Sequence, residues 1–256
     1  MSYDLGGRIA LVTGATSGFG LATAEALVRA GARVVATGRR TDRLERLAAA
    51  HAGAVLPVAL DLRERGAIEK VVGELSSDWA AIDVLVNNAG LALGLEPAQR
   101  ASLDEWDTMI DTNCRALVAM TRAVLPGMVA RNRGHVVTVG SVAGDYPYPG
   151  GNVYGATKAF VRQFMLNLKA DLIGTAVRTT NVAPGMAETE FSLVRFGGDA
   201  ARAAKVYEGV TPLGAGDVAE AILWAVTRPA HVNVNAIELM PVQQGFSPFA
   251  IARRTP

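Results

Sequence analysis

Short apolar runs alternate along this chain with segments whose apolar residues recur at helical spacing, and no other pattern narrows the fold as much. Residues 9–12 form the first run, and residues 19–30 follow as an amphipathic segment that Gly31 ends. Continuous apolar runs of this length are typical of strands that are buried on both faces of a sheet. Strands that alternate with helices favour parallel pairing through right-handed crossovers. The chain is therefore predicted to be an α/β protein.

The same pattern predicts the individual elements. About seven strands are expected, at residues 9–12, 34–36, 55–60, 84–86, 135–139, 177–182 and 236–239. Helices are expected at residues 19–30, 42–50, 64–77, 103–131, 153–173 and 217–227, with a bend near Pro126 and a polar, partly helical excursion at 188–208. Pro57 indicates an edge position for the third strand. We predict one domain over residues 1–256, a Rossmann-type doubly wound parallel sheet with helices on both faces and its ligand at the carboxyl ends of the strands.

The composition argues against several classes of protein. Cys114 is the only cysteine, so no internal disulfide can form, and the three histidines show no metal-ligand spacing. The 25 Lys and Arg nearly balance the 24 Asp and Glu, which gives no electrostatic basis for binding nucleic acid or an anionic membrane. The chain has neither a signal peptide pattern nor an uninterrupted apolar run of about 18 residues. We expect a soluble cytoplasmic protein without a metal site.

A glycine-rich loop, TGATSGFG at residues 13–20, follows the first predicted strand and opens a helix. Glycine permits backbone geometries and close approaches that a Cβ would block, and amides at a helix N-terminus favour phosphate. The spacing is G-x3-G-x-G rather than the commoner G-x-G-x-x-G, and the alternative interpretation is a turn without a ligand. Its place between strand and helix favours a nucleotide site with contacts from Gly14, Thr16, Ser17, Gly18, Phe19 and Gly20.

The residues after the second predicted strand indicate which dinucleotide binds. An acidic residue there would bind the ribose 2′-hydroxyl of NAD, but the chain has Arg39 and Arg40. Two guanidinium groups can bind the 2′-phosphate that only NADP carries. The alternative is a pair of solvated charges at a strand end. We predict NADP (NADPH) as the cofactor.

A serine, a tyrosine and a lysine form the predicted catalytic group. Ser141 ends the fifth strand, and Tyr154 and Lys158 lie one helical turn apart on the same face. Lys158 is one of only four lysines in the chain. A nearby ammonium favours the phenolate and lowers the pKa of tyrosine, so Tyr154 could give or take the proton of an alcohol/carbonyl pair. Ser141 could hydrogen-bond the same oxygen.

These motifs together resemble the short-chain dehydrogenase/reductase family over nearly the whole chain. The matching segments are TGxxxGxG at residues 13–20, NNAG at 87–90, Asn113, Ser141, YxxxK at 154–158 and NVAPG at 181–185. The resemblance implies that Asn113 bends the long helix and holds a water that links the lysine to solvent. It also implies further cofactor contacts from Asp61, Leu62, Asn88, Ala89, Gly90, Tyr154, Lys158, Pro184, Gly185 and Thr189.

Longer stretches, among them GNVYGATKAFVRQF at residues 151–164 and TEFSLVR at 189–195, are similar to the NADP-dependent 3-hydroxy acid dehydrogenases. This resemblance implies a homotetramer that acts on serine, L-allo-threonine, 3-hydroxypropionate or malonic semialdehyde. The alternatives are a sulfoacetaldehyde reductase or another short-chain carbonyl reductase, and a non-catalytic NADP-binding sensor. Neither the physiological substrate nor the direction of reaction follows from the sequence.

The substrate pocket is predicted from the same resemblance and from charge. Ser141, Tyr148, Asn152 and Tyr154 are expected to contact the substrate, under a covering segment at about residues 186–212. A small acid needs a cation, and Arg195 in that segment is the candidate, with a surface arginine as the alternative. The C-terminal tail, with Arg253 and Arg254, either reaches a neighbouring subunit's site or frays.

Overall fold

Seven parallel strands form one sheet in the order β3-β2-β1-β4-β5-β6-β7. The structure, a computed structural model, describes residues 4–247 and 250–253. The strands are β1 (Ile9–Thr13), β2 (Arg33–Gly38), β3 (Val55–Ala59), β4 (Val84–Asn87), β5 (Gly134–Val139), β6 (Val177–Pro184) and β7 (Ala236–Leu239). The predicted α/β class and doubly wound sheet are therefore confirmed.

Helices connect successive strands and cover both faces of the sheet. They are α1 (Gly18–Arg29), α2 (Thr41–Ala50), α3 (Ala67–Gly73), α4 (Ser77–Ala80), α5 (Leu103–Ile110), α6 (Ala116–Ala130), α7 (Asn152–Asp171), α8 (Glu190–Arg195), α9 (Ala200–Lys205) and α10 (Ala215–Val226). The prediction of one helix over residues 64–77 was wrong: it is the shorter helix α3, and the chain leaves the helix before Ser77 starts α4. None of the helices in the described part of the chain is both long and apolar enough to cross a membrane.

The central strands β1, β4 and β5 are buried along their whole length because both faces of the sheet are covered. Val12 and Val86 belong to a cluster with residues of α1 and α10, whereas Leu11 and Leu85 belong to a second cluster with residues of α6 and α7. Successive strand residues point to opposite faces, so alternate positions fill the two clusters. Burial alternates along the two edge strands, β3 and β7, and Pro57 correctly predicted the edge position of β3.

The predicted long helix at residues 103–131 is interrupted by a π-helical segment at Asp111–Arg115. This segment lies between α5 and α6, while α6 continues through Pro126 to Ala130. The distortion is therefore at Asn113 and not at the proline. A π segment inserts an extra residue into a helical turn and changes where the following side chains point.

The sheet order reverses at β1, whose neighbours β2 and β4 lie on opposite sides. The loops that follow β1 and β4 consequently diverge and leave a cleft at the carboxyl ends of the strands. The segment between β6 and α10 carries α8 and α9, in agreement with the predicted polar excursion. It leaves and returns at a single point, where Ala187 and Leu213 form an isolated parallel bridge.

Candidate active site

A cleft of about 550 Å³ runs along the carboxyl ends of the strands and gathers most of the predicted site residues. Of the predicted residues, those that line it are Gly14, Thr16, Ser17, Gly18, Phe19, Arg39, Arg40, Asp61, Leu62, Asn88, Ala89, Gly90, Ser141, Tyr148, Tyr154, Lys158, Pro184, Gly185, Thr189 and Arg195. Gly20, Asn113 and Asn152 do not line it. Elements far apart in the sequence thus converge on one site.

The glycines of the loop at residues 13–20 have two different roles. Gly14 and Gly18 adopt positive φ angles of 67° and 51°, which residues with a Cβ rarely adopt. A Cβ on Gly20 would lie 2.2 Å from the carbonyl oxygen of Gly14 and 2.4 Å from Nδ2 of Asn88. Gly20 therefore allows α1 to pack closely on the loop instead of forming the cleft wall.

Asn88 connects this loop to the end of β4. Its Nδ2 donates to the carbonyl of Thr13 at 2.8 Å, and its backbone N–H donates to the Thr13 hydroxyl at 3.0 Å. Ala89 donates a second backbone bond of 3.0 Å to the same hydroxyl. These bonds hold the loops after β1 and β4 in a fixed relation on either side of the switch point.

Arg39 and Arg40 both line the cleft, as predicted, and a third arginine lies next to Arg40. Arg39 is exposed along the cleft, and Arg40 donates to Ser17 Oγ at 2.7 Å and to Thr16 Oγ1 at 2.9 Å. The sequence analysis missed Arg43, which together with Arg40 binds the carboxylate of Glu190. These two arginines hold the pKa of Glu190 at about 2, chiefly through hydrogen bonds.

Asp61, the predicted contact of the cofactor, also lines the cleft. Its carboxylate accepts a hydrogen bond of 2.8 Å from Arg63, which lowers the pKa of Asp61 to about 2. The acid is therefore ionised at neutral pH. Its charge is compensated by Arg63, so the net positive charge of Arg39 and Arg40 remains.

The three predicted catalytic residues lie together at the inner end of the cleft. Ser141 follows β5, and its Oγ accepts the backbone N–H of Ala143 at 3.1 Å. Tyr154 and Lys158 are buried on α7, with the lysine Nζ 5.8 Å from the centre of the tyrosine ring. The ammonium donates to the carbonyl of Val139 at 2.8 Å, which fixes it beneath the ring.

Burial governs the ionisation of both groups on α7. It raises the pKa of Tyr154 to about 12, although a hydrogen bond with Ser141 and the charge of Arg195 act in the opposite direction. Burial also lowers the pKa of Lys158 to about 8. The predicted net lowering of the tyrosine pKa was therefore wrong for the protein alone, since the loss of hydration outweighs the nearby cations.

Asn113 supports the catalytic residues from the π segment. Its side-chain amide donates to the carbonyl of Leu91 at 2.8 Å and to the hydroxyl of Thr157 at 3.0 Å, and its Oδ1 accepts the N–H of Leu91 at 2.9 Å. A Cβ on Gly90 would lie 3.2 Å from this Oδ1 and 3.4 Å from Lys158 Nζ. Asn113 thus ties the loop after β4 to α7, next to the lysine.

Arg195 reaches the catalytic residues from the end of α8. Its Nη2 donates to the hydroxyl of Tyr148 at 2.8 Å, and its guanidinium carbon lies 5.7 Å from the centre of the Tyr154 ring. No carboxylate within the described ranges lies within 4.0 Å of this guanidinium. The alternative of a solvated surface arginine does not describe this position.

Asn152 forms hydrogen bonds at the start of α7. Its Nδ2 donates to the carbonyl of Glu96 at 3.1 Å, and its Oδ1 accepts the N–H of Val153 at 2.7 Å. Both bonds fix the start of α7, so the side chain is directed away from the cleft lining. Its contact with the substrate stays a prediction.

The cleft lining also includes Ser192, Tyr207 and Gln244, to which the sequence analysis gave no role, and Arg253, for which it left two alternatives open. Gln244 Oε1 accepts the N–H of Met186 at 2.7 Å, and Tyr207 donates to the carbonyl of Ala187 at 2.9 Å. Arg253 donates to the carbonyls of Glu208 and Val206. The described tail residues therefore fold back on the covering segment of their own chain, while Arg254 lies outside the described residues.

Comparisons with known proteins agree with this geometry. The family model for short chain dehydrogenases matches residues 8–195. The NADP-dependent 3-hydroxy acid dehydrogenase YdfG of Salmonella typhi is 58% identical over 96% of this chain and 99% of its own. The serine 3-dehydrogenase of Agrobacterium fabrum is 49% identical over 96% and 98%. The closed form of a serine dehydrogenase complexed with NADP+ superposes with a TM-score of 0.93 at 54% identity, over 96% of this chain and 100% of that chain.

Proposed function

The chain belongs to the short-chain dehydrogenase/reductase family, and we propose that it transfers hydride between NADP and a small 3-hydroxy acid or the matching carbonyl compound. It is an NADP-dependent oxidoreductase of CH–OH groups. The proposed substrates are serine, L-allo-threonine, 3-hydroxypropionate and malonic semialdehyde. The substrates named for its relatives support this choice, and the position of Arg195 beside Tyr154 is the observation that carries it.

The residues of the cleft fit NADP. Arg39 and Arg40 offer positive charge where a 2′-phosphate needs it, and the amides at the start of α1 face the place of the pyrophosphate. Asp61 and Asn88 line the cleft and would contact the adenosine half, and the lining residues between Pro184 and Thr189 would contact the nicotinamide half. When bound, NADP supplies the hydride acceptor or donor, which no side chain can provide.

Tyr154 holds the proton that accompanies the hydride. Its hydroxyl is directed to the inner end of the cleft and is hydrogen-bonded with Ser141. In reduction, the tyrosine gives its proton to the oxygen of the substrate, and in oxidation it takes that proton back. Ser141 donates to the same oxygen and stabilises the negative charge that develops there.

Lys158 and Asn113 place and replenish this proton. The Lys158 ammonium, fixed by the carbonyl of Val139, contributes positive charge within 5.8 Å of the tyrosine ring and is positioned to bind the nicotinamide ribose. Asn113 holds the loop and helix on either side of the lysine.

Arg195 would bind the acid group of the substrate. Nε and Nη2 contact the carbonyl of Gly94 at 3.4 Å and the hydroxyl of Tyr148 at 2.8 Å, which holds the guanidinium in place. Nη1 has no hydrogen-bond partner among the described residues, so its two N–H groups can bind an anion. A sulfonate satisfies the same donors, so sulfoacetaldehyde is the second candidate substrate. The presence of Ser141, Tyr154 and Lys158 in one cleft disfavours a non-catalytic sensor.

The proposal is tested by initial rates on a panel of substrates with NADP+ or NADPH. The panel contains L-serine, L-allo-threonine, 3-hydroxypropionate, malonic semialdehyde, sulfoacetaldehyde and an uncharged ketone. We expect the highest kcat/KM among the 3-hydroxy acids and malonic semialdehyde. A higher value for sulfoacetaldehyde would favour the second candidate, and a higher value for the ketone would contradict an anion site. Tyr154→Phe should lose turnover by about 1,000-fold or more while NADPH binding persists.

The homotetramer remains a prediction, to which the exposed apolar residues of α5 and α7 lend support. Ile110, Phe160 and Leu166 are 45%, 44% and 47% exposed, and Phe160 stacks on Phe164. Apolar side chains grouped on a surface are typical of association sites. Light scattering coupled to size-exclusion chromatography would measure the mass, and a monomer at micromolar concentration would contradict the prediction.

A further inference from the structure

Glu190 joins the covering segment to the nucleotide half of the cleft through two ion pairs. It is the first residue of α8, and its Oε2 lies 2.8 Å from Arg40 Nη1 while its Oε1 lies 2.6 Å from Arg43 Nη1. The two arginines come from the turn after β2 and the start of α2. Each carboxylate oxygen therefore has its own guanidinium, in an arrangement that restrains the carboxylate in direction as well as in distance.

The same arginines are anchored to the glycine-rich loop. Arg40 binds the hydroxyls of Thr16 and Ser17, and Arg43 donates to the carbonyl of Thr16 at 3.3 Å. The residue before Glu190 also touches this loop, since a Cβ on Gly18 would lie 3.3 Å from the Thr189 side chain. The start of α8 is thus held against the glycine-rich loop, which is proposed to bind the pyrophosphate.

The charges leave room for a phosphate beside this cluster. Arg39 and Arg40 line the cleft, whereas Arg43 is not part of its lining. The carboxylate of Glu190 is balanced by Arg43, so Arg39 and Arg40 together retain about two positive charges. A phosphate monoester carries about −1.5 to −2 at neutral pH. Glu190 and a 2′-phosphate can therefore be accommodated at the same time and need not compete.

We propose that Glu190, Arg40 and Arg43 form a latch that holds α8 over bound NADP and sets how slowly the cofactor leaves. Glu190 is a positioning residue, since it acts by fixing the covering segment. The same helix ends in Arg195, so the latch also fixes the cation proposed to bind the substrate. That second effect rests on the proposed function, whereas the effect on cofactor release does not.

The latch is tested with Glu190→Gln, which removes the charge and keeps the size of the side chain. Arg43→Gln breaks the other side of the cluster without altering the cleft lining. Glu188→Gln is the matched control, because Glu188 is exposed in the same segment and forms no ion pair with any described residue. Release is measured by stopped-flow displacement of fluorescent NADPH, and separately of NADH. The rate at which trypsin cleaves the cofactor-free protein after Arg195, Arg202 and Lys205 measures how firmly the covering segment is held.

We expect Glu190→Gln to release NADPH and NADH about three- to tenfold faster, as befits the loss of two partly exposed ion pairs. Arg43→Gln leaves the Arg40 pair in place and should have a smaller effect in the same direction. The double variant should be no faster than Glu190→Gln alone, because Glu190→Gln already removes both ion pairs. Trypsin should cleave both variants faster than the wild type and the Glu188→Gln control.

Three results would overturn the proposal. Slower release from Glu190→Gln would mean that the carboxylate competes with the cofactor. Faster release of NADPH alone would mean that the arginines act only on the 2′-phosphate. Unchanged release and cleavage in both single variants would mean that the ion pairs do not restrain α8. None of these readouts requires turnover, so they remain decisive if the proposed substrate is wrong.

Discussion

Replacing Arg195 with glutamine separates recognition of the acid group from the chemistry of the alcohol. The guanidinium is held by Tyr148 and Gly94 and leaves Nη1 free of hydrogen bonds to any described residue. A hydrogen bond to a charged group contributes about 1.5–3 kcal/mol. Because Arg195 is only half-buried, solvent screening favours the lower part of that range. The expected loss in kcat/KM for an acid substrate is therefore about 10- to 50-fold.

The assay compares 3-hydroxypropionate with 3-hydroxypropionamide, which has nearly the same shape and no charge. Arg195 also lowers the pKa of Tyr154, so its removal changes proton transfer for both compounds alike. The shared effect cancels in the ratio of the two kcat/KM values, so the ratio measures the contribution of the substrate's carboxylate alone. We expect the wild type to prefer the acid, Arg195→Gln to lose that preference, and Arg195→Lys to recover part of it.

The control is Arg202→Gln, the same change on α9 in the same covering segment. Its guanidinium lies 4.8 Å from the centre of the Phe196 ring and outside the cleft lining. This variant should keep the wild-type ratio. If Arg195→Gln kept its preference for the acid, another group would have to bind the anion. If it lost activity on both compounds equally, Arg195 would act only through Tyr154 or through the fold.

Three further predictions follow from the cleft. Arg39→Ala should lower the kcat/KM preference for NADPH over NADH by about tenfold, because one cation at the 2′-phosphate is lost; an unchanged ratio would place the phosphate elsewhere. Burial holds the pKa of Tyr154 at about 12, so the tyrosine keeps its proton at neutral pH. Oxidation rates should therefore rise between about pH 7 and 10, while reduction rates stay nearly constant over about pH 6–8. Initial rates in both directions check this, and a flat oxidation profile would contradict it. Gly20→Ala should lower the free energy of unfolding by about 2 kcal/mol or more in urea titrations, since its Cβ would lie 2.2 Å from a carbonyl oxygen; an unchanged midpoint would show that the loop gives way.

The sheet and the proposed cofactor-binding residues of the cleft could be predicted because each depends on a short stretch of sequence. Apolar runs specify buried strands, and Pro57 correctly marked an edge. The glycine-rich loop and Arg39 and Arg40 are positioned by the strands that precede them, so knowing the strand order is enough to bring them together.

The parts that could not be predicted depend on contacts between distant segments. Arg43 looks like any surface arginine of α2 until Glu190, 147 residues away, is placed beside it. The pKa of Tyr154 depends on how completely the folded chain removes water, which a YxxxK motif does not record. The bond from Asn152 to the carbonyl of Glu96, 56 residues away, depends in the same way on how the chain folds.

The bridge between Ala187 and Leu213 has a consequence for how such an enzyme can acquire new substrates. The covering segment begins after β6 and ends before α10, and this bridge pairs its first and last residues, so its two ends are already side by side. Changing the length of a loop with adjoining ends alters the closure entropy only slowly. Segments of other lengths and sequences could be exchanged at this base while the cofactor wall and Tyr154 stay unchanged. The substrate range could therefore change while the redox chemistry stays the same, because the two depend on different parts of the chain.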